Sequence, residues 1–174
     1  MKYLKNLESI IAEIIEPAAQ KIDQDSAFPR HAVSALGQAG LLGLMSSTDM
    51  GGMGLGLREA ATVVEKIAKA CPSTAMVVTM HYCGSVVLEK FAKESVRRDV
   101  ATGKHLTTLA WSDVGSRSHF WAPVGTAKSD GEFCIFDGRK SMVTSAGEAD
   151  SYIWSTPPLE AKGTSTLWLV AQKE

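Results

Sequence analysis

Apolar positions recur at three- and four-residue steps along the first hundred residues, then in short β-branched or aromatic runs. Leu4, Leu7, Ile11, Ile14, Ala18 and Ile22 fall on one helical face, and Pro17 is expected to kink or restart that helix. Pro29 stands at the first turn of a second helix, with Val33, Leu36 and Ala39 as its apolar face and Gly40 as its C-terminal cap. A third helix is predicted from about Leu57 to Ala70 through Ala60, Val63, Val64 and Ile67. Ser73 is placed to cap a fourth running to Met80. Val86, Val87 and Phe91 mark a fifth, and Ser95, Val96 and Val100 a sixth that ends at Gly103.

The texture changes after His105. Residues 106–111, 121–128, 132–136, 151–155 and 166–171 read as strands, with Ser-Asp-Gly, Asp-Gly and Pro-Pro turns between several of them. The pattern predicts a helical amino-terminal domain over residues 1–104 and a β-rich unit over 105–174. Helices followed by strands, rather than alternating with them, place the chain in the α+β class.

One stretch invites a phosphate-loop reading. Residues 49–60 hold Gly51, Gly52, Gly54 and Gly56 within six positions. A dinucleotide loop follows a strand and spaces its glycines as Gly-x-Gly-x-x-Gly; here the preceding segment is a loop after a helix, and Gly52, Gly54 and Gly56 are spaced by two. No Lys-Ser or Lys-Thr follows, so the Walker spacing fails as well. The glycines are expected to let a connection turn tightly between packed helices.

Composition narrows the function classes. The chain has 174 residues, 45% hydrophobic and 21% charged, enough to build a core. A net charge of −1 gives no global field for nucleic acid or an anionic membrane, and no apolar run reaches the length of a membrane span. The first residues carry no apolar secretory core. Cys71, Cys83 and Cys134 are too few and too scattered for a disulfide framework, so the expected compartment is the cytoplasm. Cys71 and Cys83 read as small buried residues. Lys90, Lys93, Arg97 and Arg98 interleave with Glu89, Glu94 and Asp99, which describes a solvated helix face rather than a nucleic-acid patch. His81 reads as a packed or capped histidine, and His119, alone in a loop, is assigned no role. No His/Cys/Asp cluster has metal-ligand spacing. Taken by themselves, Trp111 and Trp121 are core or interface aromatics, and Ser112 and Thr144 are strand hydroxyls.

The order of several motifs changes that picture. Phe28-Pro29-Arg30, Ala39-Gly40-Leu41-Leu42-Gly43-Leu44, the glycine connection and Val64-Glu65-Lys66-Ile67-Ala68 resemble the amino-terminal domain of the acyl-CoA dehydrogenase family. Residues 109–118 and 138–150 resemble two flavin-contacting segments of that family's middle β-barrel domain. The resemblance covers nearly the whole chain. It implies an FAD-dependent oxidoreductase of fatty acid metabolism, acting on an acyl-CoA and passing electrons to an unidentified acceptor. It further implies that Ser112 stands in a family Thr place, Asp113 in a Glu place and Val114 in a Pro place. On that reading Ser112 and the backbone of Trp111 support the polar edge of the flavin. Ser118 would lie nearer the phosphate end of a thioester substrate. Met142, Val143 and Thr144 replace a family Trp-Ile-Thr, keeping the hydroxyl and losing the aromatic ring.

Two departures shape the expectation. The family's catalytic base lies in a carboxy-terminal helical domain, so a chain stopping at Glu174 is expected to be a fragment with no catalytic base and no turnover of its own. Ser116-Arg117-Ser118-His119-Phe120-Trp121 is bulkier and more basic than the family turn, which keeps a flavin-dependent monooxygenase open as an alternative. A non-catalytic helical interaction module is the other. An incomplete barrel would leave residues 166–171 as an apolar edge, so the chain is expected to form a homo-oligomer.

Overall fold

The structure is a computed structural model, and it describes residues 2–116, 119, 121–159 and 162–172. The chain divides into two compact units, Met1–Thr107 and Thr108–Glu174. The first apolar stripe becomes α1 (Lys2–Ile10), a π turn over Ile11–Ile15, and α2 (Glu16–Gln24). Pro17 explains the interruption. It has no N–H and its ring crowds the carbonyl four residues back, so the ladder steps out by one residue and the Glu16 N–H donates to the Ile11 carbonyl. The turn absorbs one residue. Leu7 and Ile15 therefore share a face at a spacing of eight, and Ile22 follows seven later. This corrects the expected stripe by one position: Ile15 is fully buried and Ile14 only half-buried.

α3 (Arg30–Gln38) starts directly after Pro29 and buries Ala32, Val33, Leu36 and Gly37. Gly40 ends it in the left-handed region at φ +74°, and the Gly40 and Leu41 N–H groups donate to the Gly37 and Leu36 carbonyls. α4 (Leu57–Ala70) opens with the Gly56 N–H donating to the Glu59 carboxylate at 3.0 Å and buries Ala60, Val63 and Ile67. α5 (Pro72–Phe91) is one helix of 20 residues where two were expected. Cys71, not Ser73, is its N-cap, and Gly84 does not break it. A Cβ on Gly84 would come within 2.7 Å of Thr107 Cγ2, so this glycine admits a close approach. α6 (Glu94–Ala101) follows, and its Arg97 reaches back to Glu89 at 2.8 Å. Arg98 pairs with Glu94 one turn away.

Two polar side chains are built into the helical core. His81 is fully buried; its Nδ1 accepts from the Thr107 N–H at 3.2 Å, and its Nε2 faces the Leu42 carbonyl at 3.1 Å. Acceptance at Nδ1 fixes the neutral ring with its proton on Nε2, donating to Leu42. Tyr82 donates its hydroxyl to the Leu41 carbonyl at 2.7 Å, and burial holds that phenol far above its ordinary range. Cys71 is buried as expected, whereas Cys83 lies on the exposed side of α5.

The second unit is built from β1 (Thr107–Ala110), β2 (Thr126–Asp130), β3 (Phe133–Asp137), β4 (Ser151–Thr156) and β5 (Thr166–Ala171). β1, β4 and β5 form one sheet in that order, and β2 and β3 form an antiparallel hairpin. β2 starts later than residue 121, because the chain before it is spent on a turn whose Val124 N–H is held by the Asp113 carboxylate at 3.2 Å. β4 and β5 pair antiparallel with Trp154 opposite Trp168. Phe136 packs over both, with ring centroids 6.2 and 5.6 Å away, and joins the hairpin to the sheet. Trp168 Nε1 donates to Thr156 Oγ1 at 2.8 Å. β5 has no second strand partner among the described residues.

Candidate functional site

The glycine run offers no cradle for phosphate, because its donors are already used. The amides of Gly51, Gly52, Met53, Gly54 and Leu55 donate to the carbonyls of Thr48, Ser47, Gly43, Ser46 and Leu44 respectively. The Gly56 amide takes Glu59. A phosphate-binding loop needs several of these groups free and convergent. Gly52 also lies so close to Ser46 that a Cβ would overlap the Ser46 backbone. The run is a folded connection.

The two segments singled out in the β unit meet side by side. The Ser141 N–H donates to the Ser112 carbonyl at 2.7 Å, and the Val114 N–H donates to the Arg139 carbonyl at 2.9 Å. Asp113 and Lys140 thus sit opposite each other in a short antiparallel bridge. Their side chains form an ion pair at 3.0 Å with only 4% and 3% exposure. Lys140 Nζ also donates to the Ser155 carbonyl at 2.7 Å and to Ser155 Oγ at 3.0 Å, and lies 5.1 Å from the centre of the Trp154 ring. All three ammonium protons are thereby used.

Strand alternation puts the neighbours of a buried pair on the other face. Ser112 and Ser141 flank Asp113 and Lys140 in this way, and both are half-buried. Further along, Thr108 Oγ1 donates to the Thr144 carbonyl at 2.8 Å, which ties the start of β1 to the end of the second segment. Met142, at φ +54°, breaks the bridge and turns its side chain outward, 92% exposed. Trp111, Val143 and Thr144 are half-buried. Ser118 lies outside the described residues. His119 stacks on Trp121 at 4.7 Å between centroids, both of them exposed.

The donor set fits a flavin. Ser112, just past β1, and Thr144, in the turn before β4 rather than on the expected strand, carry half-buried hydroxyls where a ligand edge can replace solvent, and Met142 offers an uncovered, polarizable apolar surface. None of these groups is a general base, so the arrangement could hold and orient a ligand but offers no proton acceptor. The ion pair was not predicted as such. The sequence places Asp113 within a motif and gives Lys140 no role. No local signal marks it, because Lys140 stands between Arg139 and Ser141 in a polar run. Among the described residues no group of three His, Cys, Asp or Glu side chains is placed to hold a metal, and no helix is long and apolar enough to cross a membrane.

Comparison with known proteins agrees with this architecture. Residues 2–103 match the family model of the acyl-CoA dehydrogenase amino-terminal domain. The short-chain-specific acyl-CoA dehydrogenase of Clostridium acetobutylicum is 25% identical over 155 residues, covering 86% of this chain and 41% of that protein. The structure of butyryl-CoA dehydrogenase from Megasphaera elsdenii superposes with a TM-score of 0.85 at 18% identity, covering 98% of this chain and 47% of that one. A nitrososynthase from Micromonospora carbonacea superposes with a TM-score of 0.78 at 23% identity, covering 97% and 44%. The chain spans less than half the length of the relatives it matches.

Proposed function

The chain belongs to the acyl-CoA dehydrogenase family, and from that premise we propose that it supplies the flavin-contacting segments of an FAD-dependent oxidoreductase acting on an acyl-CoA. The observation that carries this reading is the direct pairing of the two segments, Ser141 to Ser112 at 2.7 Å, with Met142 standing uncovered beside them. FAD, when bound, supplies a hydride acceptor. The Ser112 hydroxyl and the backbone of Trp111 would hold its polar edge, the Thr144 hydroxyl would supply a further hydrogen bond, and Met142 and Val143 would offer apolar surface. By family resemblance alone, Ser118 would serve the phosphate end of the substrate. The α-proton of the acyl chain goes to a base that is not among these residues. Three free thiols suit a reducing compartment such as the cytoplasm.

A flavin titration of the purified chain tests the reading, with Thr144→Val and Gly54→Ala as paired variants. Thr144→Val is expected to weaken flavin retention several-fold while folded Gly54→Ala protein keeps it. Release by the Gly54 change alone would place the site elsewhere. A second reading, a flavin monooxygenase acting on a non-acyl substrate, draws on the His119–Trp121 stack, which is bulkier than the family turn. A shift of the bound-flavin band on adding an acyl-CoA, which needs binding but no proton abstraction, favours the first reading; a band that does not respond to any acyl-CoA favours the second.

A further inference from the structure

We propose that Asp113 and Lys140 are positioning residues: their buried ion pair sets the register in which Ser112 is presented to the flavin. This rests on the flavin reading above. Four pieces of chain converge on the pair. Asp113 Oδ1 takes Lys140 and its Oδ2 takes the Val124 N–H; Lys140 in turn takes both oxygens of Ser155 on β4. Side chains alternate along the bridge, so a slip of one residue would carry Asp113 to the outer face and Ser112 inward. The slipped state leaves a lysine buried without its counter-ion, which makes it costly. An apolar pair would hold the same space without that penalty for slipping, since a hydrophobic replacement of a buried ion pair is often neutral for stability. What the charges add is the choice of one register, and register is what decides on which face the Ser112 hydroxyl stands.

The test compares the 174-residue chain with Asp113→Leu/Lys140→Met, which removes both charges, and with Asp113→Glu, which keeps them at a changed length. Two readouts are taken: hydrogen exchange at the Ser141 and Val114 amides, and FAD titration with the visible flavin spectrum. The double variant is expected to melt cooperatively, keep protection in β4 and β5, exchange at Ser141 and Val114 at least about tenfold faster, and bind FAD at least about tenfold more weakly. Asp113→Glu is expected to retain FAD with a shifted flavin band. A folded double variant with native protection and native FAD affinity overturns the proposal and leaves the flavin reading standing. If the double variant does not fold, Asp113→Glu decides: an unshifted band overturns the positioning role. A wild-type chain that binds no FAD overturns the flavin reading and this proposal together.

Discussion

At the scale of single residues, stability depends on a few polar atoms buried with their partners. His81 serves two of them, the Thr107 N–H and the Leu42 carbonyl. His81→Leu fills the space and makes neither bond, and a buried group that loses its partner costs about 1–3 kcal/mol. With two such groups the unfolding free energy from urea titration is expected to fall by about 2–6 kcal/mol; no measurable loss would mean that neither bond matters. Glycines divide in the same way. Gly52→Ala forces the Ser46 turn to move, whereas Gly131, at φ +60°, has open space around it and bears only the left-handed strain of about 1–2 kcal/mol. Gly52→Ala is therefore expected to melt at the lower temperature of the two.

At the scale of elements, the π turn makes a sharp prediction. Truncating the fully buried Ile15 to alanine should cost about 2–5 kcal/mol, and truncating half-buried Ile14 clearly less. Equal losses in a denaturant series would put both side chains at the same depth and rule out the extra residue in the turn. The same turn shows what the sequence conceals. The limits of α4 are legible because its period is clean between Gly56 and Pro72, and those of β5 because a short apolar run is bounded by Ser165 and Gln172. The continuity of α5 was not, because its exposed side carries Met76, Cys83 and Val86, so no polar face displays a period. Ser112 and Thr144 came into view through their motifs. The Asp113–Lys140 pair did not, because register between segments 27 residues apart leaves no local pattern.

At the scale of the whole molecule, β5 is paired on one side only among the described residues, and Leu167 and Leu169 remain 41% and 44% exposed on it. An apolar strand edge pairs readily with other chains, and a net charge of −1 offers little repulsion. Sedimentation is expected to show association that grows with concentration and weakens in Leu169→Lys; a monomer at every concentration would contradict it. The glycine connection behaves in the opposite sense. A surface stretch with four glycines in six positions has the composition of a scissile hinge, and limited proteolysis is normally aimed at such stretches. A protease must draw several residues of extended backbone into its cleft, and here every amide from Gly51 to Gly56 is already bonded within the fold. The run should resist nicking as long as the helical unit stays folded, and its first cleavage should report the unfolding of that unit rather than the accessibility of the loop.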